Sequence, residues 1–360
     1  MTPRLVLVAC ALVAAPTWAQ DATCQPDAGA LGTLLRTDYA GRGLLDGPDG
    51  AQRARALDSL LARAGGAADG PTCDRLLHEA TALFPDGHLE VLAPTPSENV
   101  RGGVRRFAPW AGELGIRYLG DRAAVLRVRS FGLDDKPAID SLLAAHAERL
   151  RATPYLVVDV TTNGGGRDTA FEALLPLLYT GPVRLPGAEI AATPANRAAV
   201  AEAVADLRLD AVTRASLARL VERMNAAPPG AFVAVGDADE PALTDGEPLP
   251  LPRAVAVLTD AATASTAEEF VLTARQSAKV VVVGAPTAGA LDYSSVRAVE
   301  LPSGTRALRL PMTRRDWPPG GAVDATGIAP DVEVPDGVQD WVAFALGVLA
   351  ARDAAAGTQP

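Results

Sequence analysis

The chain has 360 residues, enough for one large domain or two modest ones, and is acidic, with 43 Asp and Glu against 33 Lys and Arg and a net charge of −10. That balance is a poor match for nucleic acid or any other polyanion. Lys136 and Lys279 are the only lysines, and His78, His88, His146 and three cysteines are scattered without metal-ligand spacing, so neither a metal nor a cofactor is expected.

Arg4 precedes an apolar run from Leu5 to Ala15, followed by Pro16-Thr17-Trp18-Ala19. This pattern predicts a signal peptide over residues 1–19, cleaved after Ala19. The run is too short to cross about 30 Å of hydrocarbon. The mature chain is therefore expected without an integral membrane segment, in the periplasm or secreted. Leu7-Val8-Ala9-Cys10 leaves lipidation of Cys10 as an alternative. With Cys10 removed, Cys24 and Cys73 form an even pair in an oxidising compartment, and a disulfide is expected, two buried thiols being the alternative. Closing that loop of about fifty residues would stabilise the fold by ~4 kcal/mol.

Residues 20–94 predict an N-terminal helical domain. Leu57, Leu60 and Leu61, then Leu76, Leu77, Ala80 and Leu83, recur at helical spacing, with a break at Gly65-Gly66. Residues 95–350 change to short apolar runs at 123–128, 155–160, 254–258 and 280–283, continuous enough for strands covered on both faces. Helical stretches at 137–151, 170–178 and 266–276 alternate with them, predicting an α/β layered domain. An insertion at about 187–230 is helical from Pro194 to Met224 and flanked by Pro186 and Pro228-Pro229. It reads as a packing helix pair or as a lid over a cleft. Residues 351–360 are expected to fray.

Three segments could carry chemistry. Pro85-Asp86-Gly87-His88 is good turn chemistry, and His88 is either a surface residue or a base. Asn163-Gly164-Gly165-Gly166 ends an apolar strand, where glycines let backbone N–H groups face a ligand, although an ordinary turn looks the same. Ser265 stands where a strand passes into a helix, at the positive helix end that stabilises an alkoxide or an oxyanion. Ser265 with Glu268 equally fits a capping box.

Together with Val128-Arg129-Ser130-Phe131, Gly284-Ala285-Pro286-Thr287-Ala288-Gly289 and Gly327-Ile328-Ala329-Pro330-Asp331-Val332, these segments resemble peptidase family S41. That family includes the tail-specific or C-terminal processing proteases, tricorn protease and the interphotoreceptor retinoid-binding protein modules. The resemblance implies a crotonase-like or ClpP-like α/β core and a serine nucleophile at Ser265. Members with a Ser–Lys dyad carry lysine where this chain has Ala290. The tricorn-like branch pairs its serine with a histidine in the early motif, matching His88, and supports it with an acid, matching Asp324. Tricorn has a serine before that histidine, where Gly87 stands here. The gap between His88 and Ala123 is too short for a PDZ domain, so the cleft, the insertion or an oligomer interface must supply selectivity.

The resulting expectation is hydrolysis of peptide bonds in a peptide or protein substrate through an acyl-enzyme on Ser265. His88 acts as general base, Asp324 orients or electrostatically supports it, and the N–H groups of Thr266 and of Gly164 or Gly165 hold the oxyanion. The alternatives are an inactive binding protein of the same fold and an esterase.

Overall fold

The computed structural model describes residues 24–93, 114–184, 186–236, 247–315, 317, 321–324 and 326–356. The expected signal peptide, Cys10, most of the 94–122 connection and the last four residues of the tail lie outside them.

The N-terminal segment forms α1 (Gln25–Thr37), α2 (Gly47–Gly65) and α3 (Gly70–Thr81). All three carry proline in the first turn, where its missing N–H has no helical partner to lose, and α2 ends at the expected glycine pair. Cys24, at the head of α1, is disulfide-bonded to Cys73 in α3, with Cα atoms 5.8 Å apart. Strand β1 (Glu90–Leu92) follows, then β2 (Leu114–Leu119), β3 (Ala123–Val128), α4 (Lys136–Arg151) and β4 (Tyr155–Asp159). The helix expected at 170–178 is two 3₁₀ turns over 168–174, leading into a short α5 (Leu175–Leu178). Pro176 explains the shortening, because it lacks the N–H that would bond one turn back and therefore starts a helix more readily than it continues one. The insertion comprises β5 (Ala188–Ala191), α6 (Pro194–Val204), α7 (Ala211–Ala226) and β6 (Phe232–Ala234). The rest is β7 (Ala254–Thr259), α8 (Thr266–Arg275), β8 (Val280–Gly284), β9 (Tyr293–Glu300), β10 (Ala307–Arg315), β11 (Val332–Glu333) and α9 (Trp341–Ala356). Among the described residues no helix is long and apolar enough to cross a membrane.

One sheet has the order β11-β8-β7-β4-β3-β2, parallel except for β2. Its central strands are buried on both faces, as their unbroken apolar runs predict. Ala124, Leu126, Leu156, Val158 and Val257 face a core with α4 and α8, while Val125, Val157, Ala256 and Leu258 on the other face pack under Trp341, Ala345 and Leu349 of α9. The second sheet is antiparallel and built on β10, which pairs with β9 along one edge and with β1 and β5 along the other, β5 in turn pairing with β6. The helices of the N-terminal segment share a core with it: Leu31, Leu35, Leu57 and Leu77 meet Val91, Leu308 and Leu310. Arg306, almost wholly buried, bridges Asp27 of α1 (3.0 Å) and Asp74 of α3 (2.5 Å) to the β9–β10 turn.

Candidate active site

Parallel strands deliver their loops to one end of the sheet, and ligands of open α/β sheets bind there. The β4 loop and the β7 loop meet at that end. Asn163, fully buried, accepts Ala264 N–H on its carbonyl (2.9 Å) and donates its side-chain amide to Val128 O (3.1 Å), tying the glycine loop to both neighbours. Gly165 has φ +97°, and a Cβ placed on it would lie 2.7 Å from Ser265 Cβ and 2.9 Å from Thr266 N. The glycine loop is thus pressed against the serine, and only glycine fits both the left-handed backbone and the approach.

Ser265 has φ 59° and ψ −124°, a left-handed conformation rare for a residue with a side chain, at the sharp turn from strand to helix. What holds it there is Glu268. Its carboxylate, fully buried, accepts four hydrogen bonds: Oε2 from Ser265 N (2.9 Å) and Ala290 N (2.9 Å), Oε1 from Thr287 Oγ1 (2.6 Å) and Gly289 N (2.8 Å). The capping box foreseen from sequence is present, and the same Glu268 side chain clamps the Ser265 turn to the 287–290 loop.

That loop in turn meets the histidine turn. A Cβ on Gly87 would lie 2.6 Å from the Ala290 Cβ, so Gly87 has no room for a side chain. Ala290, standing where Ser–Lys members carry lysine, is buried in this contact. Lys136 pairs with Asp140, and Lys279 donates to the Leu249 carbonyl.

His88 is largely buried. Its N–H donates to Asp86 Oδ1 (2.8 Å), and its Nδ1 lies 2.7 Å from the Tyr293 carbonyl. A carbonyl can only accept, so Nδ1 carries the proton and neutral His88 has its lone pair on Nε2. Burial holds its protonation below the ordinary histidine value. Among the described residues no hydrogen bond joins His88 to Ser265; their segments are connected through Gly87, Ala290 and Glu268.

Asp324 is not hydrogen-bonded to His88. Its Oδ1 accepts Leu291 N (2.6 Å) and Asp292 N (2.8 Å), while Asp292 accepts Val323 N (2.8 Å) and Asp324 N (3.0 Å) in return. This reciprocal latch holds the backbone just before Tyr293, and the Asp324 Oδ2 atom is buried without a partner among the described residues. Burial, reinforced by Asp292 and Asp86, pushes the Asp324 carboxyl up to about 8, and burial likewise pushes Asp86 up to about 7. At neutral pH Asp324 is mostly a neutral acid.

Of the expected oxyanion donors, Thr266 N–H and Gly164 N–H have no hydrogen-bond partner among the described residues, and Gly164 is exposed with open space beside it. Gly165 is a correction: its N–H is donated to Asn163 Oδ1 (2.9 Å) in a tight turn and is not available. Sequence reading missed the clamping role of Glu268, the Tyr293 carbonyl and the Asn163 side chain. Only Asn163, in an Asn-Gly pair, carried a local signal.

The sequence profile of peptidase family S41 matches residues 122–334, more than half of the chain. The chain belongs to peptidase family S41. Its fold is similar to that of mature CPAF (TM-score 0.61, 13% identity, 91% of this chain and 96% of that one). It is also similar to a candidate peptidase from Parabacteroides merdae ATCC 43184 (0.56, 16%, 91% and 97%) and to a lipoprotein from Streptococcus agalactiae (0.50, 14%, 92% and 98%). At these identities the likeness is one of fold. No curated protein sequence matches the chain.

Proposed function

We propose that this S41 member is an extracytoplasmic serine peptidase in which Ser265 attacks the peptide carbonyl and His88 Nε2 takes its proton. The observation that carries the reading is the fixed tautomer of His88: with Nδ1–H on the Tyr293 carbonyl, the ring offers a lone pair at the nitrogen a general base needs. The strained backbone of Ser265 at the head of α8, pressed on the glycine loop, supports the nucleophile. The developing oxyanion is held by Thr266 N–H and Gly164 N–H, and the acyl-enzyme is then hydrolysed by water activated at the same nitrogen. Asp324 acts on His88 through the backbone latch at 291–292. The disulfide supports a location outside the cytoplasm.

The absence of a direct Ser265–His88 hydrogen bond favours one rival, a binding protein of the same fold, although catalytic contacts are often loose until substrate binds. Labelling of the purified protein by a fluorophosphonate, and hydrolysis of a peptide library, separate the two. Ser265→Ala is expected to abolish labelling and lower turnover by on the order of 10⁴-fold. Wild-type protein that neither labels nor cleaves refutes the peptidase reading.

A further inference from the structure

The residues that hold His88 are themselves held by a side chain of the N-terminal helices. Tyr39, just beyond α1, is fully buried and donates its hydroxyl to Asp86 Oδ2 at 2.8 Å, while Asp86 Oδ1 accepts the backbone N–H of His88. The same ring lies 5.7 Å from the ring of Tyr293, the residue whose carbonyl fixes His88 Nδ1, and packs edge-on against Phe84 at 5.3 Å. A Cβ on Gly41 would fall 2.4 Å from Tyr39 Cζ, so the chain makes room for the phenol with glycine. Tyr39 therefore touches both residues that hold His88: Asp86, which accepts its backbone N–H, by a hydrogen bond, and Tyr293, whose carbonyl holds its ring, by ring contact.

We propose that Tyr39 is a positioning residue for His88, through which the N-terminal helices set the orientation and tautomer of the base. The proposal rests on the reading of His88 as the base. Other charged or titratable groups around this cluster are Asp86 on the histidine's own turn, Asp292 and Tyr293 at the start of β9, Arg309 on β10 and Asp324. Burial and the neighbouring Asp86 carboxyl hold the Tyr39 phenol far above its ordinary range, so it remains a donor throughout.

Tyr39→Phe removes the hydroxyl and keeps the ring. The expected result is about a tenfold lower kcat with KM within about twofold of wild type, as for loss of one buried hydrogen bond that acts on the base through its turn. A second reading needs no turnover: in a Ser265→Ala background with ¹⁵N-labelled histidine, the neutral His88 ring is expected as one Nδ1–H tautomer. With Tyr39→Phe added it becomes a mixture with Nε2–H. Phe84→Leu, which loosens the same packing but keeps the Tyr39–Asp86 hydrogen bond and the backbone carbonyl that accepts Asp86 N–H, is expected to lower the melting temperature while leaving tautomer and kcat as in wild type. Unchanged tautomer and kcat in Tyr39→Phe overturn the proposal, as does an equal tautomer shift in Phe84→Leu. If wild type hydrolyses nothing in a Ser265-dependent way, the peptidase reading fails, and the tautomer comparison alone decides the role of Tyr39.

Discussion

Glu268→Gln tests the clamp between the Ser265 turn and the 287–290 loop. The amide keeps one oxygen and replaces the other by NH₂, which faces two of the four donors now satisfied by the carboxylate. The better orientation turns the oxygen to Ser265 N–H and Ala290 N–H, since the Thr287 hydroxyl can rotate and accept from the NH₂. Gly289 N–H is then left buried against another donor, and the remaining bonds lose their charge assistance. An unmet buried donor costs about 1–3 kcal/mol and a charge-assisted bond is worth about twice a neutral one, so a loss of roughly 2–4 kcal/mol is expected. That is a large fraction of the ~5–15 kcal/mol that holds a typical domain folded. Because Ser265 N–H shares Oε2 with Ala290, small shifts reach Ser265, the proposed nucleophile, and kcat should fall about tenfold or more. Urea unfolding monitored by circular dichroism reads the first quantity and peptide hydrolysis the second. A Gln variant within about 0.5 kcal/mol of wild type and with full kcat refutes the clamp.

Gly165→Ala forces a methyl to within 2.7 Å of Ser265 Cβ at φ +97°, so a destabilisation of about 1–3 kcal/mol with near-complete loss of activity is expected by the same two assays. Because burial depresses His88 protonation, the acid limb of kcat/KM should lie below about pH 6.5; a limb at or above that value contradicts the neutral buried base. The stabilisation associated with neutral His88 is present above about pH 6.5 and is lost as pH falls below it. Asp324 has the opposite sign: its raised folded value means that stability present below about pH 4 is lost as pH rises towards 8. Asp324→Asn cannot ionise, and melts from pH 6 to 9 should show it losing less stability than wild type while keeping most activity at pH 7, whereas Asp324→Ala, which also removes the backbone latch, keeps little. Reduction of Cys24–Cys73 should lower stability by about 4 kcal/mol in urea titrations with and without dithiothreitol, as expected for freeing a loop of this length.

The parallel sheet was legible because its strands are buried on both faces, and a run such as Val280-Val281-Val282-Val283 has few other uses. The antiparallel sheet was not. Strand β9, Tyr293–Glu300, interleaves arginine, serine and glutamate and is only half-buried, and β5 and β6 are three or four residues long within a segment dominated by α6 and α7. Their identity as strands comes from pairing, β9 and β5 with β10 and β6 with β5, a non-local fact. The site divides similarly. Ser265, His88 and the glycine loop could be picked out because motif order pointed to them. Of the two glycine N–H groups offered for the oxyanion, that of Gly165 is taken by Asn163 two residues earlier, a local turn that the Asn-Gly pair allowed but did not demand. Glu268 looked like a helix cap because three of its four donors lie elsewhere in fold or sequence.

The carbonyl that sets the His88 tautomer comes from a residue 205 positions further along the chain, at the start of a strand paired along its length with β10. On the assignment proposed above, an unfinished polypeptide holding the early turn and even the nucleophile segment has an imidazole free to carry its proton on either nitrogen. The tautomer that the proposed base needs is therefore set only where the antiparallel sheet is complete at the start of β9.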